Sequence, residues 1–165
     1  GLPKWKHEGH PIQTGPASMA PAAFAAAPRL RIMRDFDDVI TTVRDGGAQI
    51  VDARGAARFA GTEPEPRAGV RGGHMPGAIN VPWRSVVTAQ GTLKPAEELR
   101  ALFADARVDI RAPIVTTCGS GISAAILMLA LETIGAAKVA LYDGSWTEWG
   151  SPPEAPVEGT RLERT

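Results

Sequence analysis

From Leu30 onward, short β-branched or apolar runs alternate with stretches of helical period. Leu30 to Met33 reads as a short strand. Asp35 to Val43 follows as a helix, with Asp35 as N-cap, Asp37 and Asp38 in the first turn where the dipole favours them, and Gly46 and Gly47 ending it. Gln49 to Asp52 and Ile79 to Val81 read as strands bounded by turn residues, and Leu99, Leu102 and Phe103 give a helical face after Pro95. Ile114 to Thr117 is a further strand. The segment Ser123 to Ile134 is apolar nearly all round, which predicts a helix buried on more than one side, and Val139 to Tyr142 closes the series as a strand. Apolar strands separated by helices predict a mostly parallel central sheet with helices on both faces, the α/β class.

The flanks are different. Pro11, Pro16, Pro21 and Pro28 punctuate Glu8 to Pro28 too closely for a stable helix between them, so this stretch reads as a linker. The tail from Ser151, SPPEAPVEGTRLERT, is polar and without periodicity; it is expected to be poorly ordered or to lie across the surface. That leaves a compact domain over residues 29–150, ordinary in size for one hydrophobic core. Lys plus Arg number 18 and Asp plus Glu 18, so no chain-wide field favours nucleic acid or an anionic membrane. The longest apolar run, Ala124 to Leu131, is far short of the ~20 residues a membrane span needs. The N-terminus lacks an apolar signal core and does not begin with Met, and reads as a cut or processed end. A single cysteine, Cys118, excludes an internal disulfide framework and suits a reducing compartment, here the cytoplasm.

Cys118 sits between a buried strand and a helix, in the turn CGSGIS, residues 118–123. Gly119 and Gly121 can adopt positive φ, so successive N–H groups can point to a common centre as in an anion-binding nest, and the helix adds its positive end. Such a setting favours the thiolate and makes the sulfur nucleophilic near neutral pH. A free cysteine is most often a small buried hydrophobe. Flanking glycines at the carboxyl end of a sheet strand, where α/β folds gather ligands, argue for the nucleophile instead.

Four separated motifs, CGSGIS, RFAGTEPEPR (residues 58–67), GHMPGAINVPW (residues 73–83) and YDGSWTEW (residues 142–149), resemble the rhodanese superfamily, and most closely the carboxyl-terminal domain of 3-mercaptopyruvate sulfurtransferases. The opening GLPKWKHEGHPIQTG resembles the end of a preceding rhodanese-like domain, so residues 1–28 are expected to comprise that end and an interdomain linker. The resemblance implies sulfur transfer through a Cys118 persulfide, from a small-molecule sulfur donor to an acceptor thiol or cyanide, with no metal or organic cofactor. It places Arg58 and Arg67 on the carboxylate and carbonyl of mercaptopyruvate, a match that guanidinium forks suit physically. It gives Ser120 a part in proton relay with an Asp and a His of the preceding domain, and lets the loop residues Gly119, Gly121, Ile122 and Ser123 cradle the substrate sulfur. Thiosulfate-specific members of the superfamily tend to place cationic side chains just after the cysteine, so by this resemblance the neutral Gly119 and Ser120 imply mercaptopyruvate rather than dianionic thiosulfate as donor.

Thiosulfate:cyanide sulfurtransfer is the alternative specificity, and a non-catalytic sulfur-carrier or interaction module the alternative class. Protein phosphatases use similar loop geometry but need Arg six positions after the cysteine, where this chain has Ala124. His7 and His10 have no Cys or carboxylate set to complete a zinc site. His74 reads as structural, and Asp52 as an acceptor for loop amides. Trp5, Trp83, Trp146 and Trp149 are too scattered for a base-stacking platform and are expected at a domain boundary.

Overall fold

In the computed structural model, which describes residues 1–26 and 32–159, five strands form one sheet in the order β1-β5-β4-β2-β3. The strands are β1 (Met33–Arg34), β2 (Gln49–Asp52), β3 (Ile79–Asn80), β4 (Ile114–Thr117) and β5 (Val139–Tyr142). Every pairing is parallel. Parallel strands covered on both faces lose the polar alternation of a half-wet sheet, which is why β4 reads IVTT and is buried throughout. Successive side chains still part to opposite faces. Val51 and Ile114 join a core with Leu99 and Phe103 of α4 (Ala96–Asp105) and Leu127 and Leu131 of α5 (Ile122–Thr133). Ile50 and Val115 join the other, with Val39 of α2 (Phe36–Asp45) and Trp146 and Trp149 of α6 (Ser145–Trp149).

The helix at α2 forms for the expected reason. Asp35 accepts from Asp38 N, Asp38 returns the bond to Asp35 N, and Gly46 closes the helix at φ 72. The helix read from Ser123 begins one residue earlier, at Ile122. The first strand lies later than its apolar run suggested, at Met33–Arg34; Leu30 and Arg31 fall outside the described residues. Three short helices carry too little periodicity to be read: α1 (Leu2–His7), α3 (Ala56–Ala60) and α6. No residue of α1 is buried.

The tryptophans of α6 differ from expectation, and the tail takes the second of its two expected courses. Trp146 and Trp149 do not line a boundary but are fully buried, because their indole N–H groups find carbonyl partners inside: Trp146 Nε1 donates to Arg71 O at 2.8 Å and Trp149 Nε1 to Pro156 O at 2.8 Å. The start of the tail, residues 151–159, packs as a strap. Arg71 donates to the carbonyls of Pro152, Pro153 and Ala155, Ala155 is buried, and His74 and Glu158 exchange backbone bonds as an antiparallel bridge. Gly73 permits that approach, since a side chain there would begin 2.2 Å from Glu158 O. Among the described residues no helix is long and apolar enough to cross a membrane.

Candidate active site

All five strands run the same way, so their carboxyl ends and following loops share one edge of the sheet. Cys118 lies there, directly after the central strand β4, and is 1% exposed. The chain turns through Gly119 and Ser120 to Gly121 at φ 83, and α5 starts at once. Gly121 has to be glycine for a second reason: a side chain would begin 2.4 Å from the Asp143 carboxylate.

The loop is held from below by the start of α6, which sequence reasoning missed. Trp146 N donates to Cys118 O at 2.8 Å, and Thr147 donates twice to Gly119 O, from N at 3.0 Å and from Oγ1 at 2.6 Å. Among the described residues no peptide bond is cis. In a trans peptide the N–H points opposite to the C=O, so drawing these two carbonyls toward α6 turns the Gly119 and Ser120 amides the other way. Those amides make no hydrogen bond among the described residues, nor do those of Ile122 and Ser123 in the uncapped first turn of α5. Four donors at a helix N-terminus are therefore available to an anion.

The expected ring of amides converging on the sulfur is incomplete, however. Cys118 N and Gly121 N both donate to Ser145 Oγ, at 3.2 and 3.0 Å. That hydroxyl donates its one hydrogen to Tyr142 O at 2.8 Å, and Cys118 Sγ is 3.9 Å away. Ser145 is fully buried and sits at φ 51, a left-handed conformation that costs a non-glycine residue on the order of 1 kcal/mol. The motif GSW announces a turn, but no sequence signal tells that its serine reaches back to the loop of Cys118.

Arg58 projects from α3 to the same loop: a side chain on Gly119 would begin 3.0 Å from its Nη2. It is not a free fork. Nε donates to Glu65 Oε1 at 3.3 Å and Nη2 pairs with Glu65 Oε2, which raises the arginine further above its ordinary value. Glu65 also accepts from Arg54 Nη1 at 2.9 Å. Arg54 lies over the Trp146 ring and chelates Asp52 through Nε and Nη2, so Asp52 accepts far more than the loop amide of residue 54. Asp52, Arg54, Glu65 and Arg58 thus form a chain of alternating charge leading to the Cys118 loop. Arg67 is exposed and makes no side-chain hydrogen bond or ion pair among the described residues. Ser120 is exposed, Ile122 is 79% exposed beside it, and Ser123 is half-buried. His74 stacks on Phe59 with ring centroids 3.8 Å apart and bonds Phe59 O through Nδ1, a structural placement.

The rhodanese-like domain family matches residues 35–152. The chain is 42% identical over 158 residues to the 3-mercaptopyruvate sulfurtransferase of Escherichia coli K12, covering 96% of this chain and 56% of that protein. It is 39% identical over 160 residues to the thiosulfate sulfurtransferase of Rattus norvegicus, covering 95% and 54%. The crystal structure of SseA from Escherichia coli, described as a 3-mercaptopyruvate sulfotransferase, superposes with a TM-score of 0.74 at 39% identity, over 88% of this chain and 54% of that one. The chain spans about half the length of the curated relatives it matches.

Proposed function

Because the chain belongs to the rhodanese-like domain family, we propose that it moves sulfur from 3-mercaptopyruvate to a thiol or cyanide through a persulfide on Cys118. The observation that carries the reading is that Cys118 directly precedes a turn whose Gly119, Ser120, Ile122 and Ser123 amides are unpaired at the N-terminus of α5.

The Cys118 thiolate attacks the donor sulfur. The carbon–sulfur bond breaks, its electron pair passes into the enolate of pyruvate, and the proton carried by the donor sulfur ends on the pyruvate methyl carbon. The terminal persulfide sulfur bears the negative charge, and the Gly119, Ser120, Ile122 and Ser123 amides stabilise it. Gly121 lets the turn form. Arg58 and Arg67 hold the donor's carboxylate and carbonyl, Arg58 through the Nη edge that Glu65 leaves open. Ser120, exposed at the rim, relays the proton together with groups of a preceding rhodanese-like domain. Cyanide or a thiolate then takes the outer sulfur and returns Cys118 as thiolate. Persulfide chemistry on a lone cysteine suits a reducing compartment such as the cytoplasm.

Intact mass spectrometry after exposure to mercaptopyruvate tests this: the chain gains about 32 Da, cyanide removes it, and Cys118→Ser gains nothing. No gain in the parent chain would leave a non-catalytic module. The neutral loop residues Gly119 and Ser120 favour mercaptopyruvate, so loading from thiosulfate is slower; the reverse order would make thiosulfate the donor.

A further inference from the structure

We infer that Glu65 is a specificity-determining positioning residue, which aims Arg58 at the Cys118 loop and so selects a carboxylate-bearing sulfur donor over thiosulfate. The inference rests on the proposed sulfur transfer and on Arg58 meeting the donor. Glu65 is the middle of the buried charge chain, its side chain only 4% exposed, with Arg54 on one side and Arg58 on the other. Arg54 cannot move to compensate, because Asp52 chelates it and Gly73 O accepts from its Nη2 at 2.8 Å. Glu65 therefore hangs from a fixed anchor.

The guanidinium of Arg58 has two edges that can grip an anion. Glu65 takes the edge made by Nε and Nη2. The edge made by Nη1 and Nη2 remains for a ligand, and Nη2 lies against Gly119, the residue after the nucleophile. An arginine side chain held at one edge has already given up the rotamer freedom that a free one loses on binding. The same carboxylate offsets the charge of Arg58, which penalises a dianion more than a monoanion. Fixing the fork helps mercaptopyruvate, and the added negative charge hinders thiosulfate, so both effects shift the choice the same way.

The test measures initial rates of persulfide loading on the full chain with each donor. Thiosulfate loads the same sulfur by transferring its outer atom to the thiolate and releasing sulfite. Glu65→Gln should raise the thiosulfate-to-mercaptopyruvate rate ratio about tenfold. In an Arg58→Gln background the same change should leave the ratio alone. Equal slowing with both donors would mark a structural role only, and a shift that persists without Arg58 would show that Glu65 does not act through it; either overturns the inference. Should Gln at this position unfold the chain, Glu65→Asp, which keeps the charge on a shorter arm, should move the ratio about threefold the same way, and an unchanged ratio there overturns it too. A parent chain that loads from neither donor would sink the sulfurtransferase reading itself, and this inference with it.

Discussion

Ser145 shows how much one hydroxyl can do when nothing else can replace it. It accepts from two buried amides and donates to one carbonyl, so Ser145→Ala strands the N–H groups of Cys118 and Gly121 without a partner. Each unsatisfied buried donor costs about 1–3 kcal/mol, and alanine does not relieve the left-handed backbone, so the variant should lose about 2–4 kcal/mol in urea unfolding and load sulfur more slowly. An unchanged midpoint would show that the loop does not depend on this hydroxyl. At this scale Cys118 and its turn were legible as a candidate site, and the groups that hold the turn were not. Cys118 stands out because Gly119 and Gly121 follow it at a strand-to-helix junction. Ser145, Thr147 and Glu65 act across folded distance, and a serine after glycine or a glutamate between two prolines carries no local mark of its partner.

Elements were readable where they were long or deeply buried. β2, β4 and β5 announce themselves as short apolar runs, and α5 as a segment with no polar face. The start of α2 was readable from its cap, and Asp35→Ala should lower stability by about 1 kcal/mol through loss of the reciprocal bonds with Asp38, measured by chemical denaturation. A cost near zero would mean that packing of Val39 alone sets where the helix begins. α3 and α6 span five residues each, too short to show a period and without side-chain caps. Tertiary contacts hold them: α6 donates to the Cys118 loop, and α3 presents Arg58 to Glu65.

At the scale of the molecule, the alternation of apolar strands with helices predicted the α/β layers but left the course of the tail open. Proline and polar side chains left open whether residues 151–159 are poorly ordered or lie across the surface, and their backbone carbonyls decide it, because Arg71 and Trp149 require them. Main-chain acceptors leave no trace in a hydropathy pattern. Deleting everything after Gly150 should therefore leave those donors unpaired and uncover the Ala155 contact, lowering the thermal midpoint by about 5 °C or more. A midpoint within a degree of the parent would reduce the strap to a passive covering.

Ser145 also joins two parts of the sheet edge that would otherwise breathe separately. Its bonds tie the turn after the central strand to the carbonyl that ends β5, so the turn cannot swing open unless the neighbouring strand frays with it. The sulfur atom is then guarded by a cooperative unit rather than by a hinged flap.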